Sequence, residues 1–380
     1  MSGRYGCATM RAATIRSGGV EFEAVVQRSA ELIPGASAAK SSHLGLALRQ
    51  GRPASLPAGH KPLLLVVIDT EEEFDWSEPL DRSNRSVSSI AGLVPLQRMF
   101  HEIGVRPTYV IDHPVASNAA SSDLLASFSD QGLAEIGAHL HPWVTPPHVE
   151  PVTAFNSYGG NLDKELERAK LGCLVEAIVR GTGVRPVSFK AGRYGIAPRT
   201  PTLLNEQGFR IDLSTSPGFN WSGDGGPDFT HYPNDPWWIP GSPDILEIPT
   251  TGGYYGPLAH AGLACTPVDN VSPRRQSNLG VALGKLRLAR RAMLSPEGFD
   301  LHALKTLTET LLARGISVLT LSFHSPSVHV GHTPFVRTPA ELDAFFETIR
   351  AFAVWFERTY SGRFVTANEA LGLFRPSTAD

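Results

Sequence analysis

Short apolar runs alternate with longer amphipathic segments along most of the chain, from Lys61 onward. A continuous run such as PLLLVVID is typical of a strand that is buried on both faces. Such runs predict strands at 62–69, 108–112, 134–141, 186–190, 209–215 and 317–324, with a short one near 364–366. Apolar residues spaced three and four apart predict helices at 90–103, 123–131, 161–179, 200–207, 301–313 and 340–360. This alternation predicts an α/β fold with a parallel sheet covered by helices, either open or closed into a barrel.

The alternation covers only part of the chain, and it divides the sequence into segments. Residues 59–375 are predicted to form the β/α unit, whereas residues 1–58 are predicted to be a poorly ordered extension, rich in Ala, Ser, Gly and Arg. Two segments interrupt the unit, at about 218–247 and 254–297. We expect both to be long insertions over one face of the fold, one of them a candidate substrate lid.

Composition and charge narrow the class of protein. The 380 residues are 42% hydrophobic and 19% charged, with a net charge of −3, so we expect a globular protein that does not bind nucleic acid. Cys7, Cys173 and Cys265 form no CxxC pair, which argues against a disulfide framework. No apolar run has the length of a membrane span and the first residues lack an apolar signal core, so we expect a cytoplasmic location. The sequence gives no indication of the oligomeric state.

Polar side chains stand at the ends of the predicted strands. These residues are Asp69, Asp112, His139, His141, Lys190, Asp212 and His324. In a barrel of parallel strands the carboxyl ends meet at one rim, where the chemistry of such folds is located. The sequence therefore predicts that several strands deliver polar groups to a single site.

The first strand runs into a dense group of acids, DTEEEFD, from Asp69 to Asp75. Side chains alternate faces along a strand, so Asp69 and Glu71 point the same way and Glu72 points to the opposite face. Two carboxylates on one face repel each other unless a cation lies between them or one is protonated. A divalent cation bound by one of the two, with the other left as a base, would resolve this conflict. A solvated acidic loop without a ligand is the competing interpretation.

The segment GAHLHPW places two histidines on one face of a strand. His139 and His141 are separated by one residue, and two imidazoles with one carboxylate are a common ligand set for a catalytic zinc-like ion. His148 is a weaker candidate ligand. A pair of histidines satisfied by packing or hydrogen bonds is the alternative.

Two further strand ends carry groups that suit proton transfer. Lys190, at the end of SFK, could hold Asp69 ionised and oriented, and Arg193 and Tyr194 follow in a turn bracketed by glycines. His324 ends the strand of LTLSFH, and an imidazole titrates near neutrality, so it suits proton donation to a leaving group. A basic surface turn and a packing histidine are the corresponding alternatives.

Taken in chain order, these segments resemble the polysaccharide deacetylase family, also called the NodB-homology or carbohydrate esterase family 4 group. The resemblance extends from about Lys61 to the end and rests on five segments: VIDTEEEF, EIGAHLHPW, FKAGRYG, GFRIDLSTSP and LTLSFHSPS. It implies a distorted (β/α) barrel of the glycoside hydrolase/deacetylase type. It also implies metal-dependent removal of an N-acetyl, or sometimes O-acetyl, group from a carbohydrate or another acetylated small molecule.

The resemblance implies a role for each residue at the rim. One divalent ion, zinc or another divalent transition metal, is expected on Glu71, His139 and His141, where it would polarise the acetyl carbonyl and bind a water. Asp69 is expected to take the proton of that water, and His324 to protonate the departing amine.

Five further residues are assigned supporting roles. Lys190 or Arg193 is expected to restrain the catalytic base, and Asp212 to orient the catalytic histidine. Tyr194 is expected to supply a backbone amide or its ring to the site, and Trp143 is a substrate-binding candidate.

The chain departs from the family pattern at three positions. The usual pair of adjacent aspartates is replaced by Asp69 with Glu71 or Glu72. The usual second histidine lies four residues after the first, a position that Trp143 occupies here. The usual arginine is matched by a lysine, which orients a carboxylate less rigidly than a guanidinium group.

Two other functions remain open from the sequence. Relatives in the wider superfamily open cyclic or linear amides without a sugar. A barrel without activity that binds a glycan would require a broken metal set. Trp221, Trp237 and Trp238 in the first insertion favour carbohydrate if they stack on sugar rings, although core packing explains them equally well.

Overall fold

The computed structural model describes residues 51–57, 59–260 and 289–374 of the chain. In chain order, the strands of these ranges are β1 (Arg52–Pro53), β2 (Leu63–Thr70), β3 (Thr108–Ile111), β4 (Glu135–Leu140), β5 (Ser188–Ala191), β6 (Ile211–Asp212), β7 (Trp237–Trp238), β8 (Leu246–Glu247), β9 (Gly252–Tyr255), β10 (Arg290–Met293), β11 (Val318–His324) and β12 (Arg363–Phe364).

Helices connect most of these strands. The α-helices of the same ranges are α1 (Leu93–Glu102), α2 (His113–Ser117), α3 (Ala119–Asp130), α4 (Lys164–Thr182), α5 (Thr200–Gln207), α6 (Pro257–His260), α7 (Leu301–Ala313), α8 (Pro339–Tyr360) and α9 (Ala367–Leu373). Local sequence sets several of their ends. Thr338 and Glu341 form a capping box at the start of α8, and Gly183, with φ of 74°, ends α4.

Ten of the described strands form one curved sheet, in the order β1-β7-β8-β6-β5-β4-β3-β2-β11, with β12 also paired to β2. From β8 through β6 to β11 every neighbouring pair is parallel, whereas β7 pairs antiparallel with β1 and β8. Strands β9 and β10 form a separate antiparallel pair. The carboxyl ends of the parallel strands therefore lie at one rim.

The two faces of β2 pack against different layers. Its even-numbered residues from 64 to 68 belong to the large core that the sheet forms with α1, α3, α4, α7 and α8. Its odd-numbered residues from 63 to 67 belong to a smaller cluster with α9 and the inner face of the other strands. Asp69 continues the odd-numbered series, so its position on the inner face follows from the alternation of a strand.

The predicted alternation of strands and helices around a parallel sheet is confirmed. The strand predicted at 209–215 is only two residues long, and the helices α2, α6 and α9 and the strands β1 and β7 to β10 were not predicted. Most of the predicted N-terminal extension and residues 261–288 of the second insertion lie outside the described residues, so those predictions stay predictions. Arg52–Pro53, at the end of the predicted extension, pairs with Trp237–Trp238 of the first insertion.

Candidate active site

A cavity of about 180 Å³ opens at the carboxyl ends of β2, β4, β5 and β11. Its polar lining includes Asp69, Glu71, His139, His141, Arg193 and His324, and its aromatic lining consists of Phe74, Trp76, Trp143, Tyr158, Tyr194 and Trp221. Eight of the ten residues that the sequence singled out thus line one cavity. Lys190 lies just behind the lining, and Asp212 lies elsewhere.

Three of these residues converge on one point. Nε2 of His139 and Nε2 of His141 each lie 3.4 Å from Oε2 of Glu71, and all three side chains are buried. The other Glu71 oxygen, Oε1, is buried without a hydrogen-bond partner. His139 lies on β4 and His141 directly follows its last residue, and their rings are 4.6 Å apart, as expected for residues that share one face of an extended segment.

The hydrogen bonds of the histidines fix which nitrogen carries the proton. Nδ1 of His139 lies 3.0 Å from the carbonyl of Lys190, and Nδ1 of His141 lies 2.8 Å from Oε2 of Glu72. A carbonyl or carboxylate oxygen only accepts, so each Nδ1 donates and each Nε2 turns a lone pair toward Glu71.

The charge states of this group suit a bound cation. Burial raises the pKa of Glu71 to about 7, and burial lowers the pKa of His141 to about 4. Two neutral imidazoles and a carboxyl group therefore face one another with lone pairs and no intervening donor. This donor set fits a divalent ion, whose charge would favour the ionised form of Glu71.

Two of the alternative ligands have other environments. Glu72 is fully buried: its carboxylate accepts hydrogen bonds from His141 and from Nε1 of Trp143, and its backbone N–H donates to Asp112. Glu72 therefore points away from the cavity into the protein interior and not into solvent. His148 lies outside the cavity lining, where its Nε2 is 3.0 Å from Arg85.

Asp69 is held by a single lysine. Nζ of Lys190 lies 2.7 and 2.8 Å from the two carboxylate oxygens of Asp69 and 2.7 Å from Oγ of Ser322. Burial by itself would raise the pKa of Asp69, but Lys190 and the neighbouring imidazoles outweigh it, so the pKa of this carboxyl is lowered. Asp69 is thus an ionised carboxylate beside the histidine and glutamate group.

Arg193 does not restrain Asp69, in contrast to the alternative that the sequence left open. Its guanidinium donates to Asp224 and Ser157 and lies 4.4 Å from the ring centre of Tyr158. The backbone of Arg193 is left-handed, with φ of 55°, and so is that of Tyr194, with φ of 58°. Two successive non-glycine residues in this region store backbone strain, which is typical of functional sites.

His324 has a buried partner that the sequence did not indicate. Its Nδ1 lies 2.7 Å from Oε2 of Glu297, and its backbone N–H donates to Oε1 of Glu297 at 3.1 Å. Nε2 faces the cavity, 3.7 Å from Oδ2 of Asp69. Burial favours the neutral imidazole, but Glu297, Glu71 and Asp69 together raise the pKa of His324 to about 10. His324 is therefore protonated at neutral pH.

Asp212 does not orient His324, so that expectation was wrong. Its side chain accepts hydrogen bonds from the backbone N–H and the hydroxyl of Ser214, and it hydrogen-bonds to Glu247 on the adjacent strand β8. The register pairs Asp212 with Glu247, so two buried carboxyl groups face each other. Two carboxyl groups in such a place share a proton rather than ionise together.

Some of the aromatic residues near the site line the cavity, and others belong to the hydrophobic core. Phe74 and Trp76, in the acidic segment after β2, stack with ring centres 5.9 Å apart, and Trp76 meets His324 edge-on at 5.1 Å. Tyr194 stacks on Trp221 at 5.4 Å. Trp237 and Trp238, in contrast, are only 5% and 4% exposed and belong to the core.

Glu297 was not among the residues predicted from the sequence, and neither were Asp224 and Tyr158. Glu297 lies in a segment without strand or helix periodicity, so no pattern signalled its contact with His324.

None of the helices within the described ranges combines the length and hydropathy that a membrane span needs. The cytoplasmic location stays a prediction.

Comparison with known proteins identifies the fold. No protein-family model and no curated protein sequence matches the chain. A candidate polysaccharide deacetylase from Mycobacterium smegmatis has a similar structure, with a TM-score of 0.52 and 16% identity over 88% of this chain and 98% of that one. A candidate glycoside hydrolase/deacetylase from Parabacteroides distasonis gives a TM-score of 0.53 and 12% identity, covering 86% and 72%.

An allantoinase is also similar, with a TM-score of 0.50 and 17% identity over 83% of this chain and 91% of that one. At these identities the similarity concerns the fold and not the activity. The predicted distorted (β/α) barrel class is thereby confirmed, and the chain has the fold of the polysaccharide deacetylases.

Proposed function

We propose that the chain is a metal-dependent hydrolase that removes an N-acetyl, or O-acetyl, group from a carbohydrate. The observation that carries this proposal is the convergence of three groups at one cavity: the acceptors of Glu71, His139 and His141; the ionised Asp69; and the protonated His324. Amide hydrolysis needs an electrophilic centre, a base and an acid, and these three groups would supply them.

The base would be Asp69. A divalent ion held by Glu71, His139 and His141, such as zinc, would supply Lewis-acid polarisation of the acyl carbonyl and a more acidic water. The Asp69 carboxylate would accept the proton of the attacking water. Lys190 keeps this carboxylate ionised and fixes its orientation through both oxygens.

The acid would be His324. Its Nδ1 donates to Glu297, and its Nε2 turns a proton toward the cavity. This proton would pass to the leaving nitrogen or oxygen as the acyl bond breaks. Glu297 favours the charged imidazolium, so His324 begins the reaction in the protonated state.

The cavity lining favours a neutral sugar as the substrate. Phe74, Trp76 and Tyr194 provide aromatic surface near the acid and base, a common feature of sites that hold sugar rings. Among the described lining residues Arg193 is the sole Lys or Arg, and Asp224 neutralises it. This favours a neutral acetamido or acetoxy sugar over a phosphate group in the cavity.

Hydrolysis of a non-sugar amide is the second candidate, and it is supported by the structural similarity of this chain to an allantoinase. Both reactions would use the same acid, base and ion. The product separates them, because a cyclic amide opens without releasing acetate.

The experiment measures acetate released from N-acetylated chito-oligosaccharides and from O-acetylated sugars by the zinc-loaded protein. We expect release that stops after chelation and returns with zinc. Asp69→Asn should reduce the rate by about 10²- to 10⁴-fold. Asp130→Asn, an exposed aspartate on α3, should not change it. No acetate from any acetylated sugar, or release that chelation leaves unchanged, would contradict the proposal.

A further inference from the structure

The His141 side chain is contacted on several sides by residues from different parts of the chain. Glu72 accepts the Nδ1–H of His141 at 2.8 Å through Oε2, and it accepts the Nε1–H of Trp143 at 2.8 Å through Oε1. The indole of Trp143 stacks on the His141 ring, with centres 4.2 Å apart and planes 25° apart. Gly192 closes another side, since a Cβ there would lie 2.3 Å from Cδ2 of His141.

We propose that Glu72 and Trp143 form a clamp that positions His141, and that this clamp makes two histidines separated by one residue a working ligand pair. The inference rests on the proposed metal site and assigns Glu72 and Trp143 as positioning residues. The clamp gives Trp143 a structural role besides its place in the cavity wall, and it gives Glu72 a role distinct from that of Glu71.

The hydrogen bonds of Glu72 argue that it supports a ligand and is not a ligand itself. Both carboxylate oxygens already accept a short hydrogen bond, and its backbone N–H donates to Oδ2 of Asp112 at 2.8 Å. Asp112 is in turn fixed, because its Oδ1 accepts the N–H of Val115 at the start of α2. Carboxylates that accept the second N–H of a metal-ligating histidine orient the ring and set its tautomer.

The tautomer is the physical consequence of the clamp. His141 is 3% exposed, so water does not reach its ring to satisfy both nitrogens. With Glu72 as an acceptor the proton stays on Nδ1, and Nε2 keeps a lone pair toward Glu71. Without that acceptor the proton can move to Nε2, where it would point at the place of the ion and block coordination.

The experiment combines two readouts. The first is the imidazole ¹⁵N spectrum of the metal-free protein, with the His141 signals assigned by comparison with His141→Ala. The second is the zinc dissociation constant, measured by competition with a chelator. We expect the Nδ1–H tautomer in the wild type, and a zinc affinity about 10- to 100-fold weaker in Glu72→Gln. Trp143→Phe, which keeps the stacking but loses the N–H, should weaken zinc binding less.

Two further variants sharpen the test. Trp143 acts through Glu72, so the double variant should bind zinc about as well as Glu72→Gln alone. Glu176→Gln, an exposed glutamate on α4, is the matched control and should retain the wild-type affinity. Circular dichroism of each variant checks that the fold is retained, and Trp143→Phe carries the test if Glu72→Gln does not fold.

Three results would overturn the clamp. One is Glu72→Gln with wild-type zinc affinity. Another is Glu72→Gln as deficient as His141→Ala while Glu71→Gln keeps zinc, which would make Glu72 the ligand. The third is an Nε2–H tautomer in the metal-free wild type. Absence of zinc binding by the wild type would contradict the proposed function instead, and the tautomer would still decide the clamp.

Discussion

Asp69, Glu71 and Glu72 are close neighbours in the chain, but their carboxyl groups have different partners. Asp69 faces Lys190, Glu71 faces the two histidines, and Glu72 accepts N–H groups on the far side of His141. Burial raises the pKa of both Glu71 and Glu72 to about 7, whereas the pKa of Asp69 is lowered despite its burial. Asp69 therefore differs from the two glutamates in its ionisation, and each of the three acids has different hydrogen-bond partners.

At the residue scale we predict that Glu297→Gln moves the alkaline limb of the kcat/KM profile to lower pH by about one unit or more. The Glu297 carboxylate stabilises the charged imidazolium of His324, so its neutralisation lowers the pKa of His324. Since the acid must be protonated to act, activity is then lost at a lower pH. The measurement is the pH dependence of acetate release.

The matched control is Glu309→Gln, an exposed glutamate on α7. Its alkaline limb should coincide with that of the wild type. Coincident limbs in Glu297→Gln as well would show that Glu297 does not govern the protonation of His324.

The residues of the site differ in how far the sequence could predict them. Asp69, His139 and His141 follow from the alternation of side chains on β2 and β4, because strand geometry is local. The contact between Glu297 and His324 joins a loop to a strand end across a tertiary interface, and no local pattern encodes it. For this reason Asp212, and not Glu297, was predicted as the partner of His324.

At the scale of an element, the loop after β4 is held in place by a single side chain of helix α4. Lys170 of α4 is fully buried, and its Nζ donates to the carbonyls of Pro142, Thr145 and Pro147 at 2.6 to 2.9 Å. The same Nζ lies 3.0 Å from Oε1 of Glu150. One ammonium group therefore fixes the loop that contains Trp143.

We predict that Lys170→Met lowers the free energy of unfolding by about 3–5 kcal/mol. The substitution leaves Glu150 as a buried charge and three carbonyls without their donor. Urea denaturation measures the change. Lys164→Met, an exposed lysine on the same helix, should cost far less. Equal stability of the two variants would show that Lys170 does not fix the loop.

Long elements were predicted well and short ones poorly. α5 and α7 have the predicted bounds, β2 is shifted by one residue at each end and β11 begins one residue later than predicted, because a long run of periodic positions leaves few alternatives. Strands β7 and β8 are two residues long, and their pairing depends on the sheet beside them. A pattern of two residues carries too little periodicity to indicate a strand.

At the scale of the whole molecule, the buried Asp212–Glu247 pair links stability to pH. Burial raises the pKa of Asp212 to about 7 and that of Glu247 well above its ordinary range. The folded chain therefore binds more protons than the unfolded chain above a pH of about 4. The contribution to the free energy of unfolding consequently falls as the pH rises from about 4 through about 7.

We predict that Asp212→Asn reduces this dependence and raises the free energy of unfolding at pH 8 by about 1 kcal/mol or more. The amide oxygen can still accept from Ser214, and the amide N–H can donate to Glu247 without a shared proton. Urea denaturation between pH 5 and pH 8 measures the effect. Asp244→Asn, an exposed control, should follow the wild type. Parallel pH dependence in all three proteins would contradict the prediction.

The proposed function depends above all on a divalent ion held by Glu71, His139 and His141 at the rim of the barrel. The most direct test is elemental analysis of metal per chain after dialysis, for the wild type, His139→Ala and the exposed control His302→Ala. We expect about one ion per chain in the wild type and in the control, and its loss in His139→Ala. Equal metal content in all three proteins, or none in the wild type, would contradict it.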